Sequence, residues 1–156
     1  MLIEIKVAQA LINQKKTLAL AESCSGGLLA HRLTNLSGSS AFLQLGLITY
    51  HDTAKSKLLK IPLKMLKKHG AVSKLVASAM AANVRKILNT DFGVSISGIA
   101  GPTGGSKNKP VGLVFIAVAT PKETICLECR FKGTRENIKK QSATQALELL
   151  SEFLCI

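Results

Sequence analysis

Three short stretches of this 156-residue chain bring together residue types that do chemistry. The first, Ser23-Cys24-Ser25-Gly26-Gly27, sets two hydroxyls and a thiol ahead of two glycines. Where a strand passes into a helix, such glycines let backbone N–H groups turn toward an anion at the helix N-terminus. No Lys-Ser/Thr follows at P-loop distance and the order is not GxGxxG, so neither nucleotide fingerprint applies, and a plain turn fits the pattern equally well. The second stretch, "SGIAGPTGG" at 97–105, leaves an apolar segment and is glycine-rich enough to line a ligand at a strand's carboxyl end. The third, "LSGSSAF" at 36–42, is followed by Tyr50 and Lys55. A serine beside a lysine that burial keeps neutral makes a nucleophile and its base. Spacing does not choose among Ser37, Ser39 and Ser40, and Lys55 shares its neighbourhood with Lys57, Lys60, Lys64, Lys67, Lys68 and Lys74.

Other reactive groups carry less. His31, His51 and His69 read as surface or helix-end residues, with no Ser-His-Asp order and no GxSxG elbow. Cys24 has the character of a small buried thiol rather than a nucleophile. Cys126 and Cys129 sit in "ETICLECRF", which alternates as a strand does. Positions three apart in a strand face opposite sides, and no second pair exists, so no zinc site is expected. Four cysteines in a chain of this size, without a secretion signal, do not form a disulfide framework.

The elements that must position these residues are set by periodicity and caps. Residues 2–14 form a helix, with Ile5, Ala8, Leu11 and Ile12 at helical spacing. "TLALA" at 17–21 is a strand, 28–33 a helix, and "LGLITY" at 45–50 a second strand. Asp52 is expected to cap a helix ending near Leu59, and "PLKMLKKHG" is a helix closed by Gly70. Ser73 caps another, whose Val76, Ala77, Met80, Val84, Ile87 and Leu88 make one apolar stripe. "FGVSIS" and "VGLVFIAVA" are strands joined by the glycine-rich loop; "TICLECRF" returns through a hairpin at 120–123, and Thr134 caps the last helix. Alternating helices and strands followed by a hairpin predict one α/β domain over 1–156, a layered α/β/α sandwich whose mixed sheet is partly parallel.

Composition narrows the partners. Lys and Arg number 21 against 9 Asp and Glu, a formal net charge of +12, which favours anionic ligands. Aromatics are only 4% and no nucleic-acid module is recognisable, so nucleic acid is not the expected partner. The lysine-rich run over 55–74 reads mostly as a solvated helical face. No apolar run of about 18 residues is present, so no membrane association is expected. Glu4 and Lys6 interrupt the N-terminal apolar residues, which argues against a signal peptide and for a cytoplasmic protein.

Taken in order, "AESCSGG" at 21–27, "GSSAF" through "ITY" to "AK" over 38–55, "HGAVS" at 69–73, "SGIAGPTGG" at 97–105 and "KPVG" at 109–112 resemble one family. The sequence is similar, over about 5–153, to the CinA C-terminal domain of the competence-damage-inducible proteins. That family includes stand-alone nicotinamide mononucleotide deamidases, and with no molybdopterin-binding-like domain ahead of it the chain resembles that form. The resemblance implies hydrolysis of the carboxamide of nicotinamide mononucleotide to nicotinate mononucleotide and ammonia, without cofactor or metal, in a homodimer or higher homo-oligomer. It implies Ser40 as nucleophile with Tyr50 and Lys55 as catalytic partners. It also implies substrate binding by Ser23, Ser25, Gly26, Gly27, Gly46, Ser97, Gly98, Gly101, Arg135 and Lys139. Lys139 stands where the family often has arginine, and a lysine keeps the charge but loses the bidentate fork. A non-catalytic nucleotide- or nucleic-acid-binding module of the same fold is the competing reading.

Geometry places a demand on that assignment. Were 41–50 one extended strand, it would separate Ser40 from Lys55 by roughly 30 Å. A shared site therefore requires a helical turn over 41–45 with only 46–50 extended, or contributions from two subunits; the turn is the expected solution.

Overall fold

The segments Leu18–Glu22 (β1), Phe92–Gly98 (β3) and Leu113–Ala119 (β4) are buried at nearly every position. A strand sustains that only inside a sheet covered on both faces. The computed structural model, which describes residues 1–156, arranges five strands in the order β2-β1-β3-β4-β5, with β2 at Leu43–Ile48 and β5 at Thr124–Arg130. β1 pairs in parallel with β2 and β3, whereas β3–β4 and β4–β5 are antiparallel. The expected layered α/β sandwich with a mixed sheet is the observed fold.

Side-chain alternation along β1 divides the core. Leu18 and Leu20 join Leu11, Leu33, Phe42, Ile96 and Leu150 beneath α1 (Ile3–Asn13), α2 (Leu28–Thr34) and α6 (Arg135–Phe153). Ala19 and Ala21 face the other way, against Leu59, Ile61, Val76, Met80 and Val84 of α3 (Asp52–Leu59), α5 (Lys74–Ile87) and the segment between. The short helix α4 (Leu63–His69) lies on this second side. Each fully buried Leu, Ile or Val contributes about 2 kcal/mol of apolar burial. Gly93 lets α5 press onto the sheet, because a Cβ there would stand 2.1 Å from the Ala81 carbonyl oxygen. No helix is long and apolar enough to cross a membrane.

Local signals read correctly at most helix starts. Ser73 accepts from the Val76 N–H, and Thr134 and Asn137 form a reciprocal capping box. At α3 the cap is His51, which accepts from Thr53 N–H, and Asp52 is the first helical residue. Cys129 packs toward the α1–α2–α6 side and Cys126 toward α5, so the two thiols do face opposite ways. The segment before Lys55 differs from expectation. The turn is confined to Ser39–Ala41, and β2 is already extended from Leu43. Pairing with β1 begins at Leu18↔Leu43, and ladder hydrogen bonds hold these residues extended.

Candidate active site

Parallel strands end at the same edge of a sheet, so the residues just beyond their carboxyl ends come together. Glu22 is paired with Ile48 and with Ile96, so β1, β2 and β3 finish side by side. Ser23 is the next residue after β1, and its N–H donates to the Ile96 carbonyl at 2.9 Å. Lys55 lies in the first turn of α3, the helix after β2, and is only 1% exposed. Its Nζ donates to the Tyr50 carbonyl oxygen at 3.1 Å, lies 3.2 Å from Ser23 Oγ and 3.9 Å from Asp52 Oδ1.

Burial pushes the Lys55 ammonium below its ordinary pKa, while the nearby Asp52 and Cys24 oppose that shift. A neutral amine has two N–H bonds and one lone pair. The Tyr50 carbonyl can only accept, so it takes one N–H and leaves the lone pair free for the Ser23 hydroxyl. Once deprotonated, such an amine at hydrogen-bond reach of a serine can act as its general base. Cys24, next in sequence, is not a competing nucleophile: burial pushes its thiol up to about 12, where no thiolate forms at neutral pH.

Ser23 and Lys55 open into a cavity of about 260 Å³, whose wall includes Tyr50, Ser97, Gly98, Gly101 and Arg135. Ser97 donates its hydroxyl proton to the Ala71 carbonyl at 2.8 Å and ties the segment after α4 to the end of β3. Arg135, the first residue of α6, donates to the Gly101 carbonyl at 2.6 Å and to the Tyr50 hydroxyl at 2.7 Å. It thereby holds the loop after β3 against Tyr50 across the cavity. Gly101 has φ +73, and a Cβ there would stand 2.4 Å from Val111, so only glycine presents its carbonyl to Arg135 in this way. The N–H groups of Cys24, Ala100, Gly101 and Gly104 make no hydrogen bond within the chain. All four residues line the cavity, where such donors can stabilise a developing oxyanion.

The Gly26-Gly27 turn does cradle an anion, but the anion belongs to the protein. Glu22, 1% exposed, accepts from Ser25 Oγ at 2.6 Å and from the N–H groups of Gly27, Leu29 and Ala30 at 3.1, 3.1 and 2.8 Å. The start of α2 is therefore already satisfied, and Ser25, Gly26 and Gly27, expected as a substrate cradle, lie outside the cavity wall. Lys139 also lies off the cavity, with its Nζ 3.4 Å from where a Cβ on Gly26 would stand, on an adjoining surface beside Arg135 and Lys140.

Ser40 and Gly46 also lie away from the cavity within the chain. Ser40 is exposed in the turn before β2, at the amino end of that strand, whereas Lys55 lies beyond its carboxyl end. Six extended residues between them span roughly 20 Å. Within the chain Ser40 cannot reach the amine, and the serine that does is Ser23. Gly46 lies in mid-strand, 3.6 Å at its Cβ position from Ala30 of α2. The sequence held one usable signal: Ser23 and Lys55 both come after the carboxyl ends of strands, and Ser40 precedes one. In the sequence Asp52 reads only as a helix cap, and Glu22 gives no signal, because an acid inside a buried strand announces no partner until the turn folds back over it.

The comparisons agree with this architecture. The family model of the CinA C-terminal domain matches residues 2–154. A CinA-like protein of Syntrophus aciditrophicus is 48% identical over 153 residues, covering 97% of this chain and 36% of the relative. One from Koribacter versatilis is 51% identical over 138 residues, covering 88% of this chain and 33% of that protein. The chain thus spans about a third of the length of the curated relatives it matches. The crystal structure of a CinA superfamily protein from Klebsiella pneumoniae superposes with a TM-score of 0.94 at 33% identity, covering 98% of this chain and 96% of that one. A competence/damage inducible protein from Agrobacterium tumefaciens gives 0.91 at 36% identity, with 99% and 96% covered. With the family model matching residues 2–154 and these relatives alike over nearly the whole chain, this protein belongs to the CinA C-terminal domain family.

Proposed function

We propose that the protein is an amidohydrolase that converts nicotinamide mononucleotide and water to nicotinate mononucleotide and ammonia, with Ser23 as nucleophile and Lys55 as base. The observation that carries this reading is the buried Lys55 amine 3.2 Å from Ser23 Oγ at the floor of a cavity. Neutral Lys55 takes the Ser23 proton as Oγ attacks the carboxamide carbon. The negative charge on the carbonyl oxygen meets the free N–H donors of Cys24 and the loop after β3. Lys55 then returns the proton to the leaving nitrogen, and ammonia departs from an acyl-Ser23 ester. Lys55 then deprotonates a water, which attacks the ester; the acyl–Oγ bond breaks, Lys55 returns its proton to Ser23 Oγ, and the carboxylate product leaves. Tyr50 contributes through its carbonyl, which orients the amine, and through its hydroxyl, which holds Arg135.

The cavity, near the lower end of ordinary ligand pockets of about 300–1,000 Å³, suits the pyridine ring and ribose with the phosphate at the mouth. Arg135 keeps N–H donors beyond the two it uses and stands at that mouth; Lys139 lies one helical turn further along α6. Phosphate recognition at Arg135, with Lys139 beside it, fits the positive charge of the chain.

The test is ammonia release from nicotinamide mononucleotide by wild type, Ser23→Ala, Lys55→Met and Ser40→Ala. Activity in wild type and Ser40→Ala alone is the expected result. A wild type that binds the nucleotide and releases no ammonia makes the protein a binding module. Loss in Ser40→Ala would instead bring that serine to the site from a second copy of the chain.

A further inference from the structure

We propose that Asp52 is a positioning residue for Lys55: its carboxylate, 3.9 Å from Nζ at the cavity wall, holds the lysine's proton and sets the pH at which the Ser23–Lys55 pair becomes reactive. The proposal rests on the reading of Lys55 as the base.

Asp52 is the one acidic residue among those lining the cavity, and its carboxylate makes no hydrogen bond within the chain. The Asp52 side chain is 52% exposed, while its partner amine is buried. Lys55 therefore stands between two opposed influences. The fold around it disfavours an ammonium, and Asp52 favours one.

The other groups around Nζ leave Asp52 without a rival. From the end of β1 come the Ser23 hydroxyl and the buried Cys24 thiol; from the segment before α3 comes the uncharged Tyr50 carbonyl. The α4–α5 connection presents Ala71 and Val72, and β3 presents Ser97, whose hydroxyl is committed to Ala71. From α6, Arg135 is engaged with Gly101 and Tyr50 across the cavity. Glu22 is turned to the α2 side and saturated by four donors. The His51 ring is directed to Thr53.

An acid in the first turn of a helix also has a plain structural use, since it complements the helix dipole. That role would alter stability and leave the titration of Lys55 where it is, which makes the two roles separable.

The experiment is a titration of the Lys55 side chain, tracked by NMR in protein labelled with ¹³C at lysine Cε and assigned with Lys55→Met. It compares wild type, Asp52→Asn and Asp52→Glu. The Lys55 midpoint is expected at lower pH in Asp52→Asn and near the wild-type position in Asp52→Glu. Added salt should move the wild-type midpoint down and leave Asp52→Asn unmoved, because only the wild type has a half-exposed partner to screen. In ammonia release, the rising limb of kcat/KM should move with it. At a pH on the wild-type limb, Asp52→Asn should run about three- to tenfold faster relative to its own plateau. An unchanged Lys55 midpoint in Asp52→Asn, and no salt response in wild type, overturns the proposal whatever happens to thermal stability. A shifted midpoint in a protein that releases no ammonia upholds the control of Lys55 by Asp52 and overturns the amidase reading instead.

Discussion

Lys55 Nζ lies 3.2 Å from Ser23 Oγ across 32 residues of sequence, and the contact exists because β1 and β2 run parallel and end in register. The amine reaches the serine from the first turn of α3, with the Tyr50 carbonyl holding one of its N–H bonds. Two strand ends, one helix start and one backbone carbonyl thus converge on a single hydroxyl.

Removing either member of that pair should abolish turnover without unfolding the protein. Ser23→Ala and Lys55→Met are each expected to lower kcat by about 10³-fold or more, as loss of a nucleophile or its base does elsewhere. Ser40→Ala should stay within about twofold of wild type. Steady-state ammonia release, with circular dichroism as the folding control, checks all three.

Burial of Lys55 also predicts a pH dependence of stability. Its pKa in the fold is below the ordinary 10.5, so the native state gives up this proton before the unfolded chain does. Stability must then rise with pH from the lowered value up to 10.5. Lys55→Met lacks the ionisable group and should be more stable than wild type at neutral pH, with the alkaline rise flattened. Thermal melts between pH 7 and 10 measure both, and a Lys55→Met protein less stable at every pH would contradict the account.

Cys24 acts in the opposite direction. Its thiol is raised from 9.0 to about 12, so its contribution is complete below pH 9 and is lost as pH climbs through 12. Cys24→Ala should keep its activity and lose stability less steeply above pH 9; an inactive Cys24→Ala with an intact fold would return the thiol to the mechanism.

Glu22 holds the turn that presents Ser23. In Glu22→Gln an amide N–H₂ faces N–H donors, and a buried array that accepted four bonds is broken. A cost of about 2–4 kcal/mol is expected. Urea denaturation should show the midpoint falling with an unchanged slope, and kcat should fall as the turn loosens.

Arg135 bridges Gly101 and Tyr50 with two separate N–H groups, a geometry lysine cannot reproduce. Arg135→Lys is expected to raise KM for nicotinamide mononucleotide about tenfold. Tyr50→Phe should add little in that background, because the bond it removes is already gone. Additive effects in the four-member cycle would separate the two residues.

Much of the architecture was legible because it is local. Buried apolar runs at 93–97 and 113–119 can only be interior strands; Ser73 and Thr134 sit where helix N-termini need acceptors; and the hairpin closes with Thr120 N–H on the Glu123 carbonyl at 2.8 Å. Alternation alone put Cys126 and Cys129 on opposite faces. Ser23, Tyr50, Lys55, Ser97, Gly98, Gly101 and Arg135, which the family resemblance singles out, line one cavity. What the chain could not disclose is which serine meets the lysine. That depends on strand direction and register: parallel pairing carries Ser23 and Lys55 to one edge and leaves Ser40 at the other. The glycine turn was likewise readable as an anion cradle, while its occupant, Glu22, was decided by the turn folding back over its own strand. Local pattern determines elements and caps because their hydrogen bonds span a few residues. A site assembled from the ends of three strands is determined only once those strands are ordered and aligned.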